Sequence, residues 1–204
     1  KEDILGVRKV LEDNSGEAKI IAKIETRQSV ENIDEILAVV DGIMVARGDL
    51  GVEMPTEDVP MVQKEIIEKC RSQGKPAIVA TQMLDSMIRN PKPTRAEASD
   101  VANAVIDGAD AVMLSGETAS GRHPVESVNI MHRILIRTEE SLMKWQRTPK
   151  VFYNCGETAD AVSRAARDIS EAVCAAAILS LTRSGATARM VSKYRPECPV
   201  IALT

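Results

Sequence analysis

Four short runs rich in Ile, Val and Ala, at residues 19–25, 42–49, 77–82 and 111–117, each end in groups that can act on a ligand. Lys23 and Glu25 close the first, Asp49 the second, Thr81 the third, and Ser115 with Glu117 the fourth. Lys23 and Glu25 stand two apart, so on an extended strand both point to one face. Asp49 directly follows Gly48, whose missing side chain lets a ligand approach the backbone N–H groups. Two carboxylates at neighbouring strand ends make a hard-oxygen site suited to Mg²⁺, which keeps several waters and shares its shell with substrate oxygens. An ammonium beside them can neutralise a transferring phosphoryl group, a reaction in which positioning and charge compensation supply most of the catalysis. The same residues also fit a Lys23–Glu25 ion pair at the rim of a sheet with Asp49 capping a turn, and spacing leaves the two readings open.

The scaffold must bring the ends of these runs together. Near-continuous apolar runs read as buried parallel strands. Between them lie helical patterns: Val30, Ile33, Ile36 and Leu37; Val59, Val62, Ile66, Ile67 and Cys70; and Val101, Ala102, Val105 and Ile106. The alternation predicts a βαβαβα order, with ligands gathered at the carboxyl ends of the strands. Thr94 and Glu97 form a T-x-x-E capping box, and Pro124 suits the first turn of a helix continuing through Val128 and Met131. Gly74 and Gly108 each follow a helix and precede a strand, as C-terminal caps do.

Around residues 140–158 the pattern breaks, and Trp145, Pro149, Phe152, Tyr153, Asn154 and Gly156 predict a crossing between two units, 1–145 and 146–204. A helix capped by Thr158 then runs through Val162, Ala165, Ala166, Ile169 and Val173. It leads to a strand at 177–181, a loop at 182–187, a helix to about Tyr194 and a last strand at 200–203, which make one βαβ unit. The chain opens at Lys1 rather than Met, so a longer parent protein is expected.

Composition excludes several classes. The 204 residues carry 26 Lys and Arg against 30 Asp and Glu, a net charge of -4, so no basic excess favours nucleic acid or an anionic membrane. No apolar run approaches the ~20 residues needed to cross a bilayer. One Trp, two Tyr and one Phe leave little for stacking on bases. Cys70, Cys155, Cys174 and Cys198 form no C-x-x-C pair, and His123 and His132 read as surface or helix residues. Met44, Met83, Met87 and Met113 read as core filler.

The strings K-I-I-A-K-I-E-T (19–26), D-G-I-M-V-A-R-G-D-L-G (41–51) and A-T-Q-M-L-D-S-M (80–87) resemble the pyruvate kinase family, as do P-T-R-A-E (93–97), D-V-A-N-A-V-I-D-G-A-D (100–110) and M-L-S-G-E-T-A (113–119). The resemblance covers nearly the whole chain. It implies an α/β fold: the second half of a (β/α)8 TIM barrel, four βα units, followed by part of an α/β C-terminal domain that serves effector binding and oligomerisation. It implies phosphoryl transfer from phosphoenolpyruvate to ADP, giving pyruvate and ATP, in a cytoplasmic, homo-oligomeric glycolytic enzyme, tetrameric in its full-length form. By resemblance, Lys23 stabilises the phosphoryl and enolate charge, and Glu25 and Asp49 hold Mg²⁺ or Mn²⁺. The turn of Ala46, Arg47, Gly48 and Asp49 receives the substrate carboxylate on its amides, Thr81 stands at the reacting end, and Ser115 and Glu117 lie near the proton path.

Thr182, Arg183, Ser184, Gly185 and Thr187 resemble the family's effector loop, which suits a sugar phosphate, though an ordinary capped strand-to-helix turn would look the same. Arg95 is expected in a structural role or at a subunit contact. The K⁺ site, an arginine that grips the phosphate and most nucleotide contacts fall in the first four barrel strands and the lid, which this chain lacks. The chain alone is expected to be inactive and to associate through open sheet edges. Two other functions compete: a Mg²⁺-dependent aldolase or lyase of pyruvate-like oxo acids, and a non-catalytic module that binds a sugar phosphate. Lys23 with the G-D-L-G turn separates the first reading from these, since an aldolase needs no ammonium at a phosphoryl position.

Overall fold

The computed structural model describes residues 1–144 and 158–204. Four parallel strands form one sheet in the order β1-β2-β3-β4: β1 (Ile21–Ile24), β2 (Gly42–Ala46), β3 (Ala77–Ala80) and β4 (Ala111–Met113). This sequential order, each strand beside the one just before it in the chain, is that of a barrel wall rather than of a sheet wound outward both ways from its middle. Register rows explain the burial. Ile24, Val45, Val79 and Val112 lie side by side and face the helices, whereas Lys23, Met44, Ile78 and Ala111 form the alternate row on the other face. Ile24, Ile43, Val45, Ala77 and Val79 are buried on the helix side with Ile36, Leu37, Ile66, Ile67, Cys70, Val101 and Met131. Truncating one such side chain to Ala costs about 2–5 kcal/mol.

The helices follow from their punctuation. The first, α1 (Glu2–Asp13), has no counterpart among the expected elements; it starts on two acidic residues, and Arg8 reaches Val39 O and Asp41. The single helix expected around residues 30–37 is two, α2 (Arg27–Glu31) and α3 (Ile33–Leu37), because Asn32 leaves the helical region and its side-chain amide donates back to Gln28 O at 2.8 Å. After β2 come α4 (Arg47–Glu53) and α5 (Val59–Ser72), with Gly74 beyond at φ 64°. A 3-10 turn (Asp85–Ile88) precedes α6 (Arg95–Asp107), whose expected capping box is formed in both directions between Thr94 and Glu97 and whose cap Gly108 has φ 100°. Beyond β4 lie α7 (Gly116–Ala119) and α8 (Pro124–Lys144), which continues through the expected break at Glu140.

The predicted crossing between units, with Trp145, Pro149, Phe152, Tyr153, Asn154, Gly156 and the 145/146 boundary, lies outside the described residues. Past it, α9 (Thr158–Ala172), β5 (Ile178–Leu181), α10 (Ala186–Ser192) and β6 (Val200–Leu203) form the expected βαβ unit, β5 and β6 running parallel. The apolar stripe of α9 faces outward: Val162 and Ile169, and Val173 just past the helix, are exposed, whereas Asp160, Ser163 and Ser170 are buried. A polar seam joins this unit to the first. Lys193, its side chain 1% exposed, pairs with Asp160 and donates to Ser72 O at 2.9 Å, at the last residue of α5. Arg195 donates to Gly108 O at 2.7 Å and to Asp110 at 3.0 Å. Among the described residues, no helix is long and apolar enough to cross a membrane.

Candidate active site

The strands are shorter than the apolar runs that announced them, and the chemistry sits in the turns just past their ends. Lys23 is the one candidate inside a strand. Asp49, expected to end the second run, lies instead in the first turn of α4, because the helix starts directly after Ala46. Thr81 and Gln82 leave the β region altogether, with φ of 70° and 54°. A β-branched residue at positive φ is an outlier, and such strain costs on the order of 1–3 kcal/mol per residue, so neighbouring groups must hold it in place. Ser115 is exposed ahead of α7, and Glu117 lies within that helix.

These turns bring the predicted charges together. The Lys23 ammonium pairs with Glu25 and lies 2.8 Å from Asp49 Oδ2, so two carboxylates from adjacent units converge on one point. Asp49 first, then Glu25, holds the Lys23 ammonium above the ordinary lysine range, against the opposing pull of desolvation. All three side chains are about half exposed, and pairing between such groups contributes little to stability. The cluster is therefore not needed to build the fold, and it stays open to a ligand. Among the described residues no group of three or more His, Cys, Asp and Glu could hold a metal by itself. Two converging carboxylates fit a small divalent cation that completes its shell with water and substrate oxygens.

Gly48 and Thr81 meet next to this cluster. The Gly48 N–H donates to Thr81 Oγ1 at 2.9 Å, and a Cβ at Gly48 would stand 3.0 Å from that oxygen, so glycine is what permits the approach. Arg47, expected among the substrate-binding residues as part of the 46–49 turn, sends its side chain to α6. Its side chain is 12% exposed and forms a two-pronged pair with Asp100 of α6, Nη1 to Oδ1 and Nη2 to Oδ2, both at 2.7 Å. Nη2 also donates to Thr81 O at 3.1 Å.

Glu117 is placed differently from a group on an open proton path. It is 2% exposed, and its carboxylate accepts from Leu84 N at 3.0 Å and Ser115 N at 2.8 Å, tying the segment after β3 to the turn after β4. Glu97 does a similar job: burial opposes its charge, but donors from Ser86 and Thr94 outweigh that and hold its carboxyl below the usual range. Thr182, Arg183, Ser184, Gly185 and Thr187 lie between β5 and α10, remote in sequence from this cluster, with Gly185 at φ 77° as the helix cap and no side-chain cap bond. Asp100 and Gln63, which both meet Arg47, carried no signal in the sequence because their partner lies far along the chain. His132 is exposed and His123 half-buried.

Comparison with known proteins agrees with the motif strings. Residues 1–128 match a family model described as "Pyruvate kinase, barrel domain", and residues 160–204 match "Pyruvate kinase, alpha/beta domain". A pyruvate kinase of Sporosarcina psychrophila is 56% identical over 208 residues, covering 99% of this chain and 35% of the relative. One from Bacillus licheniformis is 54% identical over 207 residues, with coverage of 99% and 35%. One from Clostridium perfringens is 51% identical over 209 residues, with coverage of 100% and 44%. The chain thus spans less than half the length of these relatives.

Proposed function

The chain belongs to the pyruvate kinase family, and on that premise we propose that it supplies one wall of an active site that transfers the phosphoryl group of phosphoenolpyruvate to ADP, giving pyruvate and ATP. The observation that carries this reading is the convergence of Glu25 and Asp49 on the Lys23 ammonium at neighbouring strand ends. Phosphoryl transfer asks for this: fixed positive charge where oxygens gather negative charge, and carboxylates to hold more of it. Glu25 and Asp49 would hold Mg²⁺ or Mn²⁺. Bound there, the metal would supply charge to the phosphoryl and enolate oxygens.

The chain's own residues have distinct tasks. Lys23, displaced from the two carboxylates when a metal engages them, would place its ammonium against the transferring group and the enolate oxygen. The Gly48–Asp49 turn would receive the substrate's carboxylate, and the Thr81 hydroxyl would orient the reacting end. Ser115 would lie near the proton's route to carbon, with Glu117 shaping that route through the amides it holds. The K⁺ site and most nucleotide contacts would come from parts of the enzyme beyond this chain. As parts of the same proposal, the 182–187 loop would take a sugar-phosphate effector, the whole enzyme would be a homo-oligomer, and it would act in the cytoplasm.

The test is pyruvate formation by the full-length protein from phosphoenolpyruvate and ADP, with and without Mg²⁺. Metal-dependent pyruvate and ATP in equal amounts are expected. No turnover, or turnover of an oxo acid without ADP, would overturn the reading.

A further inference from the structure

We propose that Arg47 is a positioning residue: together with Gly48 it clamps Thr81 in a left-handed backbone conformation and so fixes the Thr81 hydroxyl one residue from Asp49. The inference deepens the function proposed above, since it rests on the Thr81 hydroxyl acting at the substrate.

Thr81 and Gln82 are consecutive non-glycine residues at positive φ, and Thr is β-branched, so nothing in their own chemistry favours this backbone. The restraint comes from two adjacent residues of α4. Arg47 Nη2 donates to Thr81 O at 3.1 Å, and more weakly to Gln82 O at 3.4 Å. Gly48 N donates to Thr81 Oγ1 at 2.9 Å. One residue thus has both its carbonyl and its hydroxyl held, from the side chain of residue 47 and the backbone of residue 48.

The clamp is itself anchored. The guanidinium meets Asp100 through both terminal nitrogens at 2.7 Å, and Gln63 Oε1 lies 3.4 Å from Nη1. A two-pronged pair of this kind fixes the plane of the guanidinium as well as its place. With both terminal nitrogens engaged inside the protein, Arg47 is poorly placed to grip a substrate phosphate or carboxylate. Lysine could not replace it, because one compact ammonium lacks the fork that spans Asp100 and the Thr81 carbonyl.

The experiment uses the full-length enzyme with Arg47→Met, Arg47→Lys, Asp100→Asn, and Arg47→Met combined with Gln82→Gly. For Arg47→Met, kcat should fall at least about tenfold while KM for phosphoenolpyruvate stays within about twofold, because misplacing a reacting group acts on the transition state. Arg47→Lys should not restore it. Asp100→Asn, which keeps the anchor's shape and serves if Arg47→Met fails to fold, should fall in the same direction by less. Adding Gln82→Gly, which takes the left-handed region without strain, should recover part of kcat. A crystal structure of Arg47→Met, or of Asp100→Asn in its place, should show Thr81 out of the left-handed region and its hydroxyl too far from the Gly48 N–H to accept from it. A rise in KM with kcat unchanged would make Arg47 a binding residue and end the proposal, as would an unmoved Thr81. The crystallographic arm needs no turnover, so failure of the clamp and failure of the pyruvate kinase reading are told apart.

Discussion

Asp49, in the first turn of α4, holds the ammonium of Lys23 at 2.8 Å across 26 residues of chain, and Glu25 meets the same ammonium from the end of β1. On the proposed function, a divalent cation would compete with Lys23 for the same two carboxylates. In the full-length enzyme, Glu25→Gln or Asp49→Asn should therefore raise the Mn²⁺ concentration needed for half-maximal rate by about tenfold or more, about the effect of losing one charged partner. Initial rates across a Mn²⁺ titration measure this, and unchanged activation in both variants would remove the metal assignment.

Lys23→Met should lower kcat on the order of 10²-fold with a much smaller rise in KM, as when one preorganised charge donor is lost. Steady-state kinetics at saturating metal decide it. A defect confined to KM would make Lys23 a binding residue only.

The Asp41 carboxylate accepts from Ile20 N at 2.9 Å and from Arg8 at 3.1 Å. The Ile20 amide and, less strongly, Arg8 hold its carboxyl below the ordinary 3.8, against the opposing cost of burial. A folded-state value below the unfolded one means stabilisation that is present above about pH 4 and lost as the pH falls through the folded value. Asp41→Asn should thus cost about 1 kcal/mol at pH 7, and the gap from the parent should be smaller at pH 3. Urea melts at the two pH values test it; an equal gap at both would refute the ionic origin.

Burial pushes the Cys70 thiol up to about 12, whereas Cys174 is exposed. Only the thiolate reacts appreciably, so iodoacetamide at pH 8 should label Cys174 well before Cys70 in the native protein. Peptide mass spectrometry reads the order, and labelling of Cys70 at the same rate would mean that the α5–β3 core opens.

Lys193→Met removes the ammonium that faces Asp160 in the seam between the two units, and such a loss costs about 3 kcal/mol when the carboxylate stays buried. Thermal melts of the full-length protein should show a lowered Tm for this variant. Replacing exposed Lys19 in the same way should leave it unchanged.

Local chemistry was readable from the sequence and distant pairing was not. The Thr94–Glu97 box is written within four residues, and the apolar runs announced all four strands of the sheet in their right order. Where each strand stops was hidden, because Thr81 takes a backbone that its own side chain disfavours and does so only under restraint from α4. The Arg47 side chain carried no readable role for the same reason: Asp100, which captures it, lies 53 residues away. Glu117 looked reactive beside Ser115, but burial with two amide donors makes it a brace.

The sequential strand order has a consequence for how this wall is made. Ile21 pairs with Gly42, Ile43 with Ala77 and Ile78 with Ala111, so β2, β3 and β4 each pair with the strand synthesised just before them. Closing such modest loops costs somewhat less chain entropy than joining remote strands, and contacts between near neighbours in sequence favour rapid folding. Each βα unit emerging from the ribosome meets a template already in place, and the sheet lengthens in the direction of translation.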